Sequence, residues 1–227
     1  MKLDVKEIVR ILRRVWKGET IFRGLLCLQM EKTVRLRGIV LDLGSGKLPS
    51  YWDFVKVGEV EKLVTVDILL QNQPCVVADL NDSLPFKSNS ADTVMAMGVI
   101  CYLQNYRRFL KEVRRIMKAG GIFFLYNPFL VNLLGMESGP IDRWRFTGES
   151  LRAAYEEAGF QEINIISHYG VFISAANLCL FVFSYFKPVR LLLALLAFIM
   201  DNILEVMLGK TMMAQRFVLN YFIVARR

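Results

Sequence analysis

VLDLGSGKLP, residues 40–49, decides how the rest of the chain is read. A short apolar run, GIVLDL (38–43), leads into a turn with Gly44 and Gly46. That spacing opens the loops that join a buried strand to a helix beneath a pyrophosphate, in which a third glycine allows close helix–strand packing. Here Pro49 stands at the third position and removes an N–H donor. Asp42, two residues before Gly44, would bring negative charge towards phosphate. The stretch therefore predicts a buried strand and a glycine turn whose N–H groups face a crevice for a cationic or amine-bearing ligand.

Outward from this turn, apolar runs recur: LVTVDI (63–68), CVVAD (75–79), TVMAMGVI (93–100), GIFFLYN (121–127), EINIIS (162–167) and RFVLNYFIVARR (216–227). Helical stretches lie between them, the clearest at YRRFLKEVRRIMKAGG (106–121). There Phe109, Leu110, Val113, Ile116 and Met117 share one face, and Gly120-Gly121 is expected to end the helix. Alternating strand and helix predicts an α/β, doubly wound, mostly parallel sheet, with ligands at the carboxyl ends of its strands.

Five features in order resemble the class I S-adenosylmethionine-dependent methyltransferases, over about 38–170 and again in the last strand. They are VLDLGSG; Asp67 at the end of the next strand; ADLNDSLPF (78–86); ADTVMAMGVICYL (91–103); and FLKEVRRIMKAGG (109–121). The resemblance implies a Rossmann-like sheet of order 3-2-1-4-5-7-6, antiparallel only at its last strand. It implies S-adenosylmethionine as cofactor, held by Asp42, Leu43, Gly44, Ser45, Gly46, Asp67, Ile68, Asp79, Leu80, Met97 and Gly98. In it Asp42 and the glycines surround the methionine end, Asp67 takes both ribose hydroxyls, and Asp79 accepts the adenine amino group. Where the family commonly has Glu-His this chain has Cys101-Tyr102, so no role passes across from that pair. Asp92 is expected to be structural, at the far end of its strand.

Methyl transfer from a sulfonium needs alignment and exclusion of water above all, and a hydroxyl acceptor also benefits from a base. His168, the one histidine, ends the strand before an apolar insertion and is a candidate base. Asp142 and Arg145 belong to GPIDRWRFTGESLRAAYEEAGF (139–160), whose D-x-x-R-F-T segment resembles methyltransferases of surface-glycan and lipid-linked pathways. Asp142 is a candidate base or acceptor contact and Arg145 a candidate anion contact; alternatively they pair and pin the loop. Thr147 is expected to cap the helix that follows.

The remaining sequence is unusually apolar, with 54% hydrophobic residues and a mean hydropathy of +0.36. The net charge of +8 is concentrated in residues 1–38, which hold ten Lys/Arg against four Asp/Glu. That basic segment, with an amphipathic helix over 3–17 and a second helix near 20–34, points to anionic lipid, and no nucleic-acid motif accompanies it. With a single histidine and four scattered cysteines, neither a metal site nor a disulfide framework is expected. Frequent early charges argue against a cleavable leader.

Three parts are expected: 1–37, basic and helical; 38–170 plus 214–227, the cofactor-binding domain; and 171–213, an apolar helical insertion between strands 6 and 7. Of residues 171–200, 24 are apolar, but the runs are short for a span and Lys187-Pro188 interrupts them. The insertion is expected to cap the active site, as a hairpin dipping into one leaflet, a lid or a homodimer interface. These readings lead to a cytoplasmic, membrane-peripheral or monotopic methyltransferase of a small-molecule, apolar or lipid-linked acceptor, with O-methylation favoured. The alternative is a membrane-associated binding module that keeps the fold without turnover.

Overall fold

Seven strands form one sheet: β1 (Arg35–Leu43), β2 (Lys56–Asp67), β3 (Val76–Val77), β4 (Ala91–Met97), β5 (Met117–Pro128), β6 (Gln161–Tyr169) and β7 (Val218–Arg226). Their order is β3-β2-β1-β4-β5-β7-β6, as the resemblance implies. The structure, a computed structural model, describes residues 3–47, 51–131, 141–183, 185–208 and 217–227. Pro49, Gly139, Pro140 and residues 209–213, on which some expectations fall, lie outside the described residues.

β1 lies inside the sheet between β2 and β4, and Val40, Leu41 and Leu43 are buried, as in a strand covered on both faces. It pairs in parallel with β2 and β4, placing Asp42 opposite Thr65 and Met95. β5 continues the parallel set beside β4. β7 runs against β5: Arg227 N–H donates to Gly121 O at one end, and Phe129 N–H to Leu219 O at the other.

The strict alternation of strand and helix does not hold. Among the described residues between β1 and β6, α-helices occur only in the crossovers after β4 and β5: α3 (Tyr106–Ile116) and α4 (Gly148–Glu157). Between β1 and β2 there is one 3-10 turn, Trp52–Phe54. Gly44 and Gly46 adopt positive φ there, and Tyr51, which turns back onto Asp42, leads into the 3-10 turn. A second correction concerns α3, which stops at Ile116 because Met117 is already extended and opens β5. Gly120-Gly121 instead form a bulge in β5, where the register against β4 shifts between Ala91/Met117 and Thr93/Ile122. Thr147 caps α4 as expected, its hydroxyl accepting from Ser150 N–H at 3.2 Å. Asp92 lies at the start of β4, accepting from Ile39 N–H and Lys118 Nζ.

The chain divides into two compact units. Residues 33–128, 133–166 and 221–227 form the sheet unit, with a core around Phe109, Phe123, Tyr155 and Phe222. Residues 1–32, 129–132 and 167–220 form the helical unit, with α1 (Val5–Trp16), α2 (Ile21–Thr33), α5 (Val171–Val182) and α6 (Lys187–Leu208). Its core joins Ile11, Val15, Ile21, Leu25 and Leu28 to Ile173, Leu180, Ala194 and Phe198. Asp4 and Glu7 close a reciprocal cap on α1. Among the described residues no helix is long and apolar enough to cross a membrane.

Candidate active site

The glycine turn after β1 spends its donors inside the fold. Gly44 and Ser45 N–H both donate to Val66 O, at 2.7 and 3.1 Å, and Gly46 N–H donates to Asp67 Oδ2 at 2.8 Å. The expectation that these groups face the crevice is therefore corrected. With these three donors used, the loop lacks the free N–H groups by which such loops hold a pyrophosphate. Gly44 is required here: its φ is +73°, and a Cβ would meet Val99 Cγ1 at 2.2 Å.

A cavity of about 340 Å³ opens at the carboxyl ends of β1, β2 and β4, within the usual size range for small-ligand sites. It is lined by Gly44, Asp67, Ile68, Leu69, Asn72, Asp79, Leu80, Asn81, Met97, Gly98, Val99, Tyr102 and Leu103. Seven of the expected cofactor residues are on this wall: Gly44, Asp67, Ile68, Asp79, Leu80, Met97 and Gly98. Asp42, Leu43, Ser45 and Gly46 are not.

Its polar side is built from two carboxylates, each oriented by an asparagine. Asp67 Oδ1 accepts from Leu69 N–H at 2.9 Å and Asn72 Nδ2 at 3.0 Å, while Oδ2 takes Gly46 N–H. Much of its acceptor capacity is thus committed to shaping the loop, and the neighbouring Asn72 adds further polar groups to the wall. Asp79 Oδ1 accepts from the backbone and side chain of Asn81, both at 2.9 Å, in an Asx turn. Asn81 in turn accepts from Gln104 and Asn105 N–H. Asn72 and Asn81 were missed as site residues because they act through turns; the D-x-N spacing at 79–81 was their one visible signal.

Asp42 is fully buried, with Tyr51 Oη donating to its carboxylate, 2.9 and 2.8 Å from the two oxygens. Burial pushes its pKa up to about 7, against the hydrogen bonds from Tyr51 and Trp52 that favour the charged form.

The opposite side of the cavity is apolar, formed by Met97, Val99, Leu103 and Tyr102. Burial, helped by Cys101 and Asp142, raises the Tyr102 phenol to about 12, and burial likewise raises the Cys101 thiol to about 12. Both are neutral at physiological pH. Behind them, Asp142 and Arg145 form a bidentate ion pair, in keeping with the pinning alternative. Arg143 and Trp144 N–H donate to Cys101 O, and Trp144 Nε1 donates to Leu103 O at 2.7 Å. The D-x-x-R-F-T segment is thereby fastened to the apolar wall without lining it.

His168 is also absent from the wall. It is buried in the helical unit, Nδ1 lying 2.6 Å from Asn220 Oδ1. Burial lowers its pKa to about 4, against the hydrogen bond that its Nδ1 makes to Asn220 Oδ1. The ring is neutral at physiological pH.

The fold and site define a doubly wound domain with a crevice at the carboxyl ends of its strands, lined among the described residues by two carboxylates and no basic side chain. Residues 41–125 match the Methyltransf_11 family model, a methyltransferase domain. Over 57 residues the chain is 37% identical to the human thiol S-methyltransferase TMT1B, a match covering 25% of this chain and 23% of that protein. The match thus spans less than a quarter of the length of this curated relative. Among solved structures, a chain from the complex of the Haloferax volcanii Trm112 methyltransferase activator with its methyltransferase is similar, at 21% identity and a TM-score of 0.53. That likeness covers 88% of this chain and 87% of that one. Haemonchus contortus phosphoethanolamine N-methyltransferase 2 in complex with S-adenosyl-L-methionine gives 14% identity and a TM-score of 0.54, covering 91% of this chain and 52% of that one. At these identities the structural likeness concerns the fold alone.

Residues 41–125 are thus similar to a methyltransferase domain, and the surrounding fold is that of solved methyltransferases, one of them in complex with S-adenosyl-L-methionine.

Proposed function

We propose that the protein catalyses methyl transfer from S-adenosylmethionine to an apolar or lipid-linked acceptor at a membrane surface. The observation that carries this reading is the two-sided cavity, with Asp67 and Asp79 on one side and an apolar wall of Met97, Val99, Tyr102 and Leu103 on the other. When bound, the cofactor supplies a methyl group already activated on a sulfonium. Asp79 Oδ2, which takes no hydrogen bond from the described residues, accepts the adenine amino group. Asp67 and Asn72 share the ribose hydroxyls. The apolar wall excludes water and aligns the acceptor, which is the main contribution a protein makes to such a transfer. Asp142 and Arg145 act as positioning residues that hold 141–147 against that wall. Lipid as the acceptor's source rests on the apolar helical unit and its basic N-terminal helix.

Oxygen is the first choice of acceptor atom. A second reading, transfer to sulfur, is favoured by a specific feature: the described wall offers only the neutral Tyr102 phenol near its apolar side, and a thiol, with a pKa near 8.5, ionises without a strong base. The local similarity to a thiol S-methyltransferase supports it.

Incubation with labelled cofactor separates these readings. Label is expected in the lipid fraction of a membrane extract, whereas label only in small thiols would overturn the lipid reading and favour sulfur. Cofactor binding by calorimetry without label in any fraction would favour a binding module without turnover.

A further inference from the structure

We propose that the helical unit carries a docking surface for an anionic lipid leaflet, made by the outer face of α6, the α5–α6 tip and the end of α1. The inference rests on the membrane-surface reading above and names its partner and residues.

α6 packs inward through Ala194, Ala197 and Phe198, which are buried. Its outer face is a straight apolar stripe of Val189, Leu192, Leu196, Ile199, Ile203 and Val206, between 37% and 86% exposed. The spacing of three and four keeps these side chains on one line for roughly 25 Å. Arg190 is drawn inward, donating to Glu19 O at 2.6 Å, and Asp201 is turned onto Phe172 and Ile173 N–H at the start of α5. The charges of this helix are thereby kept off the stripe for most of its length. A contiguous apolar line of this extent marks an interaction surface.

The surroundings of the stripe select its occupant. At the α5–α6 tip, Tyr185 is 93% and Phe186 62% exposed. The Arg190–Glu19 bond ties the start of α6 to the end of α1, which contributes Trp16, 46% exposed, and the exposed Lys17. Aromatic rings beside lysines match a bilayer's interfacial layer, where the ring body meets acyl chains and the ammonium reaches headgroups.

Charge points the same way. In α1, α2 and the turn between them, Glu7, Glu19 and Glu31 are engaged by Lys32, Arg14 and Arg10 respectively. Arg13, Lys17 and Lys187 form no ion pair with the described residues, so the rim around the start of α6 and the end of α1 is positive. Two copies of this surface would face each other with like charges, whereas anionic headgroups complement it.

The test is co-sedimentation of the full chain with phosphatidylcholine vesicles, with and without phosphatidylglycerol. Binding is expected only with phosphatidylglycerol, and it should weaken as salt rises. Lys17→Ser and Lys187→Ser should each reduce partitioning about fivefold, and Phe186→Ser about tenfold, with cofactor affinity unchanged in all three. Equal binding to both vesicle types, or none, would overturn the proposal. So would a dimer in solution that Leu196→Glu dissociates while vesicles fail to bind, which assigns the face to a second copy. The methyltransferase reading is tested separately, by cofactor calorimetry and transfer to detergent-dispersed lipid, so either can fail while the other stands.

Discussion

Asp42 shows how a buried carboxylate that does not line the cavity acts on the loop. Its folded pKa of about 7 lies above the ordinary 3.8, so the folded state holds its proton more tightly than the unfolded chain. The resulting stability is fully present below pH 3.8 and is lost as pH rises to about 7, a change on the order of 4 kcal/mol. Asp42→Asn should remove that slope: urea unfolding at pH 5 and pH 8 should show the variant gaining on the wild type at the higher pH. Parallel slopes would mean that Asp42 does not titrate in this range. Asp67 acts from the wall itself. Asp67→Ala removes the partner of Gly46, Leu69 and Asn72, and should weaken S-adenosylmethionine binding roughly 10- to 100-fold by calorimetry. Wild-type affinity would remove Asp67 from the site.

At the scale of elements, the Thr147 cap and the Asp142–Arg145 pair fasten the chain on either side of Phe146. Thr147→Ala should cost about 1 kcal/mol in thermal or urea unfolding. Arg145→Met should raise KM for the acceptor while leaving cofactor affinity within about twofold, as expected of a positioning residue; lost cofactor affinity would give it a different role. Which elements could be read beforehand follows from burial. β1, β4 and β5 are covered on both faces and stand out as apolar runs. The outer part of β2, KVGEVEK (56–62), is mostly exposed and polar, so it carries no such signal although it pairs with the start of β1. The 3-10 turn of the first crossover was hidden too, because strand and helix patterning does not report how the glycine turn spends its donors. Asp67 and Asp79 were legible as acids closing strands. Asn72, Asn81 and Tyr51 were not, since each matters through a hydrogen bond to an acid whose position only the fold determines.

Over the whole molecule, the helical unit is assembled from both ends of the sequence. Ile11, Val15, Ile21, Leu25 and Leu28 come from the first 32 residues and are at most 4% exposed. A chain beginning at Thr33 would lose that layer, on the order of 10 kcal/mol of apolar burial. It should scatter light on concentration under conditions where the full chain does not; equal behaviour would mean that α5 and α6 close on themselves. The two halves are joined by polar contacts as well, since Phe22 N–H donates to Asn177, 155 positions later. That separation bears on biosynthesis. At about 5–20 residues per second, α1 and α2 leave the ribosome many seconds before their partners exist, with their apolar faces uncovered. During that interval those faces stay open, so the helical unit is completed only after six of the seven strands have been made.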